Sequence, residues 1–418
     1  MKKNFLFISL LALGLTAAPV ALTSCGDDDK TTVTGTGSTG STTDDDDPYN
    51  YGADNRTADD SKGAENSYKC IDQILEGCMD IANEVGESKI GDPIAKWNAG
   101  QQTEALYAVE SWYSFHSRED YSNNILSIRN AYYGSRDGSV AANSISSLIA
   151  AKRPQMDVKV KAAITNAYNA ILAIPNPFRN NISCQEALTA QKKCAVLKQV
   201  LKDLKGYIEN HGTLNQDAVL NPVISTYVDN VVLPTYLELK NGNAALYDAV
   251  VAFQSNPSDK AFKEVATAWL EARQPWETSE AFLFGPVDAE GLDPNMDSWP
   301  LDQNAIVSIL NSGNLDKDLD WTDGDSDDEV EAKQGVRGFH TLEFLTFRNG
   351  VARTLNDEAA SGDAADLVYN AANAKRWANY MKQVAYLLKK DAATLYDDWS
   401  VSYNGGKSFA DLFKEYTF

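Results

Sequence analysis

Histidine is the scarcest chemistry-bearing residue in this 418-residue chain, with His116, His211 and His340 as the only three. That removes an H-E-x-x-H zinc site, which needs two histidines one helical turn apart and a glutamate base. The five cysteines include no C-x-x-C, so thiolate metal binding is disfavoured. Positive charge is short as well: 37 Lys and Arg face 59 Asp and Glu, a formal net charge of −22. So acidic a surface argues against nucleic acid and against direct docking on anionic lipid, and it fits attraction of cations. Alternating β-branched segments with tight turns are missing, which argues against an all-β fold.

The one long apolar run spans Phe5 to Leu22, behind Lys2 and Lys3, and reads as a secretory signal peptide, residues 1–24. Leu22-Thr23-Ser24-Cys25 resembles a lipobox, which implies that Cys25 becomes the lipidated first residue of the mature chain. Acyl chains would then hold the protein to a membrane at about 0.8 kcal/mol per buried methylene. The acidic residues Asp27 to Asp29 resemble a surface-export signal of Bacteroidetes lipoproteins. The expected location is the outer membrane, on the periplasmic side or the cell surface. Residues 25–62, rich in Thr, Ser, Gly and Asp, cannot bury enough apolar surface to offset chain entropy and read as a flexible acidic linker.

From residue 63 to 418 helical periodicity dominates. Apolar positions at three- and four-residue spacing start a helix at Tyr68 and run through Gln101–Trp112, Val158–Leu172, Gln185–Ile208, Pro222–Lys240, Gly242–Phe253, Lys260–Phe284, Val330–Arg348 and Asp363–Tyr396. Ser258 and Asp302 stand where N-caps belong. Pro175, Pro177 and Gly285-Pro286 end helices, while residues 134–153 and 311–328 read as loops. The expectation is an all-α fold of two packed, bundle-like halves divided near residue 241. Cys70 and Cys78, like Cys184 and Cys194, are too far apart along one helix to bridge, so their pairing is open.

One constellation carries metal chemistry. In Gly338-Phe339-His340-Thr341-Leu342-Glu343 the imidazole and the carboxylate are three residues apart and share a helix face. Nitrogen and oxygen donors together suit a transition-metal ion, though a hydrogen-bonded pair is the simpler use of one H-x-x-E. Glu277 and Glu280 are likewise three apart, and Arg273 stands one turn before Glu277, ready to pair with it. Trp112, Tyr113 and Phe115, around His116, Arg118 and Asp120, read as core packing. His211, in Glu209-Asn210-His211-Gly212, reads as a helix end. The acidic stretch Asp323 to Glu329 lacks the turn glycine of an EF-hand and reads as a solvated loop.

Three blocks in order resemble the imelysin-like family. They are Glu110 to Tyr121, Arg273 to Pro286 with Leu292-Asp293-Pro294 and Asp297-Ser298-Trp299-Pro300, and the G-x-H-x-x-E of Gly338, His340 and Glu343. The resemblance spans essentially the whole helical part. It implies two helical bundles with a site between them, and a family that holds both peptidases and components of iron uptake. The expected site is a metal centre for iron or zinc with His340 and Glu343 at its core. Glu280, His116 and Glu110 are further ligand candidates, and Gly338, Arg273, Glu277 and Arg118 support them. Three functions follow: a metal-associated lipoprotein with iron-uptake partner proteins; a zinc metallopeptidase needing His116 or His211 beside His340; and an adhesion or scaffold lipoprotein whose polar cluster is architectural.

Overall fold

The computed structural model describes residues 66–312, 314–322, 324–357 and 368–418. The expected signal peptide, the expected lipidation site Cys25 and the expected linker lie outside the described residues. The fold is all-α, with one two-residue hairpin. The longer helices are α1 (Tyr68–Asn83), α2 (Ser117–Tyr133), α3 (Pro154–Leu172), α4 (Gln185–Glu209), α5 (Leu233–Ser255), α6 (Asp259–Glu277), α7 (Gly338–Thr346) and α8 (Ala374–Ser400). Strands β1 (Phe347–Arg348) and β2 (Val351–Ala352) pair antiparallel, Phe347 opposite Ala352. No described helix is long and apolar enough to cross a membrane.

The helices pack in two groups. In the first, α3 and α1 lie on α4 and α2 lies on α3; in the second, α5 lies between α6 and α8, with α7 against α8 and α6. The groups meet where α2 touches α6 and where α1 and α2 touch the short 3-10 turn Glu280–Phe282. Burial drives this arrangement. Helix α8 alone buries Trp377, Tyr380, Met381, Val384, Leu387, Leu388, Leu395 and Trp399, each contributing about 1.5–3 kcal/mol. Two buried tryptophans also place their N–H groups: Trp377 donates to Leu345 O at 3.0 Å and Trp269 to Phe339 O at 2.9 Å. Both bonds fix the backbone of α7.

Both expected caps form. Ser258 accepts from the Ala261 N–H at 3.1 Å and Asp302 from that of Ala305 at 2.9 Å. Gly242 behaves differently from expectation. It does not break the chain but lies inside α5, where an added Cβ would come within 3.0 Å of the Ala272 Cα. Its missing side chain lets α5 and α6 approach closely. The stretch expected to be helical from Gln101 to Trp112 stops at Tyr107. Residues 108–116 are irregular, with Ser111 and Phe115 at positive φ of 49° and 62°. The helix expected over Val330–Arg348 is interrupted, because Gly338 takes φ +84° between Asp327–Gln334 and α7. Ser326 and Glu329 form a capping box, so the acidic stretch starts a helix. Residue 323 and residues 358–367, where the last helix was expected to begin, lie outside the described residues.

Candidate functional site

Helix α7 is buried along its whole length. It begins at Gly338 because only a residue without Cβ fits there: a Cβ would lie 2.5 Å from the Met296 carbonyl oxygen. One turn on, His340 and Glu343 pair, Nδ1 to Oε2 at 3.0 Å. The other Glu343 oxygen is gripped by the irregular segment. The Tyr113 and Ser114 N–H groups donate to Oε1 at 3.0 and 2.8 Å, and the Ser114 hydroxyl at 2.7 Å. Positive φ at Ser111 and Phe115 turns the chain so that consecutive amides converge on one carboxylate.

The second nitrogen of His340 faces Asp297 Oδ1 at 3.2 Å and Arg273 Nη2 at 3.3 Å. Burial and Arg273 both work against its charged form, but Asp297 and Glu343 outweigh them and raise His340 to about 9. Arg273, at 1 % exposure, is the hub of the cluster. It pairs with Asp297, with Glu277 and, more distantly, with Asp120 at 3.7 Å. Asp297 also accepts from the Trp276 indole at 2.7 Å, and Glu277 from Asn124 at 2.6 Å. Asp120 takes Ser111 Oγ and, at 3.0 Å, His116 Nδ1. The three sequence blocks therefore converge on one buried network.

Acids exceed cations there. Burial raises Glu277 to about 8 despite Arg273, and pushes Glu280 far above the usual carboxylate range, with Glu277 adding and Lys89 opposing. Asp297 goes the other way: burial resists ionisation, but Arg273 and His340 hold it well below the usual range. The Glu280 carboxyl, 6 % exposed, has no hydrogen bond or ion pair among the described residues. Lys89 is placed by the π-helical turn Glu84–Gly91, bonds Glu110 at 2.9 Å and feels the charge of Glu280.

Oxygens of Glu277, Glu280 and Asp297 lie within 4.8 Å of one another, the only such group able to hold an ion among the described residues. Three carboxylates suit a hard, oxygen-loving cation. His340 borders this group, while both Glu343 oxygens are already engaged, so Glu343 fits an orienting role better than direct ligation. His116 and Glu110 lie outside the group, bound to Asp120 and Lys89. Arg118 is elsewhere: it donates to the carbonyls of Leu172 and Ile174 at the end of α3 and pairs with Glu119. His211 bonds the Tyr207 carbonyl at 2.9 Å, a helix end as expected. Asp297 was legible only as part of a family-like block, and Lys89, Asn124 and the Tyr113 and Ser114 amides carried no signal. The four cysteines described are free.

Beside His340, at 4.8 Å between ring centroids, stands Trp299. It also lines an open cleft of about 360 Å³ with Tyr107, Pro300, Leu301, Asp302, Gln303 and Asn304.

An all-α molecule with a buried acid–histidine–arginine centre at the meeting of two helical groups defines a narrow class. The profile of the family described as Imelysin matches residues 42–205 and 232–416, and the chain belongs to that family. Among solved structures it is similar to an imelysin peptidase from Bacteroides ovatus, 57% identical, covering 69% of this chain and 83% of that one, with a TM-score of 0.69. It is also similar to iron-regulated protein A of Synechococcus elongatus, 32% identical over 133 residues. That match takes in 32% of this chain and 33% of the relative, so the chain spans a third of that relative's length.

Proposed function

We propose that the protein binds a hard metal cation, iron in its cell, through Glu277, Glu280 and Asp297. His340 borders the ion, and Glu343 fixes the imidazole. The observation that carries this reading is the carboxyl of Glu280, a residue 6 % exposed, without a hydrogen bond or ion pair among the described residues and within 4.8 Å of two further acids. Burying such a group is costly, Lys89 offsets only part of the cost, and a cation would offset more. Iron is favoured over other hard cations by the name of the Synechococcus relative. The N-terminal sequence supports export and a lipid anchor at Cys25, which would hold the site at the outer membrane for iron-uptake partners.

A zinc peptidase reading is less well supported, because neither His116 nor His211 joins a ligand group with His340 among the described residues. Calorimetric titration with ferrous iron (anaerobic), manganese and zinc tests the proposal. Glu280→Gln is isosteric and breaks no protein contact. It should weaken binding at least tenfold while the fold is kept. Wild-type protein that binds no iron below millimolar concentration, or Glu280→Gln with unchanged affinity, would overturn it.

A further inference from the structure

The Trp299 cleft is not needed to hold a cation among the three acids, yet it has the size of a small-molecule pocket, at about 360 Å³. Its walls are two aromatic rings, Tyr107 and Trp299, with the apolar Pro300 and Leu301. The one charged residue lining it is Asp302. Both aromatics are braced from behind. Tyr107 stacks on Trp112 with ring centroids 5.5 Å apart, and Trp112 is in turn covered by the Arg179 guanidinium at 3.6 Å. Trp299 rests edge-on against His340. Gln303 is tied to the Tyr113 hydroxyl at 2.7 Å, which anchors the start of its helix. Rigid rings lose little freedom when a ligand settles on them.

The charge pattern selects the ligand. A ring face carries negative potential and attracts an alkylated ammonium. Asp302 supplies a formal negative charge at the same wall, and the chain as a whole carries −22. Anionic ligands are repelled on every count. A neutral apolar ligand gains nothing from Asp302. We propose that this cleft binds a small organic cation, an ammonium group with alkyl substituents seated on Tyr107 and Trp299 and countered by Asp302. The proposal does not rest on metal binding at the acidic centre.

The test compares choline with its uncharged isostere 3,3-dimethylbutanol, following Trp fluorescence and calorimetry on the full folded chain. Choline should bind, and the isostere should bind at least about tenfold more weakly. Asp302 caps the helix that begins at Gln303. Asp302→Asn keeps a good cap while removing the charge, so it should weaken choline binding severalfold without lowering the melting temperature. Tyr107→Leu should weaken it further. Equal affinity for choline and the isostere, no binding of either, or Asp302→Asn and Tyr107→Leu both binding like wild type would overturn the proposal.

Discussion

Replacing Glu277 by Gln should remove a pH dependence from the stability of the metal-free protein. The Glu277 carboxyl is fully buried, and its proton affinity is raised from the ordinary 4.5 to about 8, by burial above all and against the pull of Arg273. Below about pH 4.5 the group is protonated in both the folded and the unfolded chain and contributes no pH dependence. As pH rises from there, the unfolded chain ionises while the folded one keeps its proton. Stability therefore falls by about 1.4 kcal/mol per pH unit until about pH 8. Between pH 5 and pH 8 the loss from this group is of order 4 kcal/mol. The amide introduced by Glu277→Gln mimics the protonated acid and cannot ionise. The variant should match wild type near pH 5 and exceed it by about 4 kcal/mol at pH 8. His340, raised to about 9, also contributes stability that is present below about pH 6.5 and lost as pH rises through 9. That contribution is common to both proteins and cancels in the difference. Urea unfolding at pH 5, 6, 7 and 8 with a metal chelator measures it. A variant-minus-wild-type difference that is flat across the four pH values would refute the reasoning.

Gly338→Ala should cost at least about 2 kcal/mol, because the residue must both hold φ +84° and avoid the Met296 carbonyl; a thermal melt within a degree of wild type would contradict this. Ser114→Ala removes one of three donors to Glu343 Oε1 and should cost about 1–2 kcal/mol, read by the same melts. Asp391→Ala strips the partner from the buried Arg337 and should cost about 3 kcal/mol while leaving cation affinity unchanged. A loss of affinity in that variant would mean that the site is coupled to α8 more strongly than its contacts indicate.

How far the molecule was legible follows from what each feature depends on. Caps such as Ser258 are local chemistry, and they form where the sequence puts them. Amphipathic spacing located most of the long helices, because burial decides them. The same logic failed over residues 108–116, where Leu106, Val109 and Trp112 keep a helical spacing but the chain leaves the helix after Tyr107 to wrap Glu343. Backbone amides have no letter in the sequence, so that grip could not be foreseen. Gly242 misled in the opposite sense: a glycine that suggests a boundary by itself marks a close helix crossing once Ala272 lies opposite it. At the site, His340, Glu343 and Arg273 were legible because the residues of each block share helical spacing. Lys89 was not, because a π-helical turn breaks the spacing that would have flagged it.

The remaining question is whether the centre is merely architectural. Elsewhere among the described residues two buried arginines each meet one acid, Arg337 with Asp391 and Arg353 with Asp357 at 2.9 Å, while the buried Arg348 meets none. Such pairs leave no charge over. At the centre the balance is different. Arg273 faces Asp120, Glu277 and Asp297, with His116 also at Asp120 and His340 also at Asp297, and Glu280 lies beside them with Lys89 already bound to Glu110. A cluster built only for packing would gain by replacing Glu280 with an amide or an apolar residue, since the carboxyl makes no contact that such a residue would lose. Its retention costs stability in the metal-free chain, the cost that the Glu277→Gln comparison measures for its neighbour. A ligand that binds only the folded state returns stability in proportion to RT ln(1 + [L]/Kd). The extra acids, kept protonated by burial in the metal-free chain, could ionise on meeting a cation, which is what the proposed site requires.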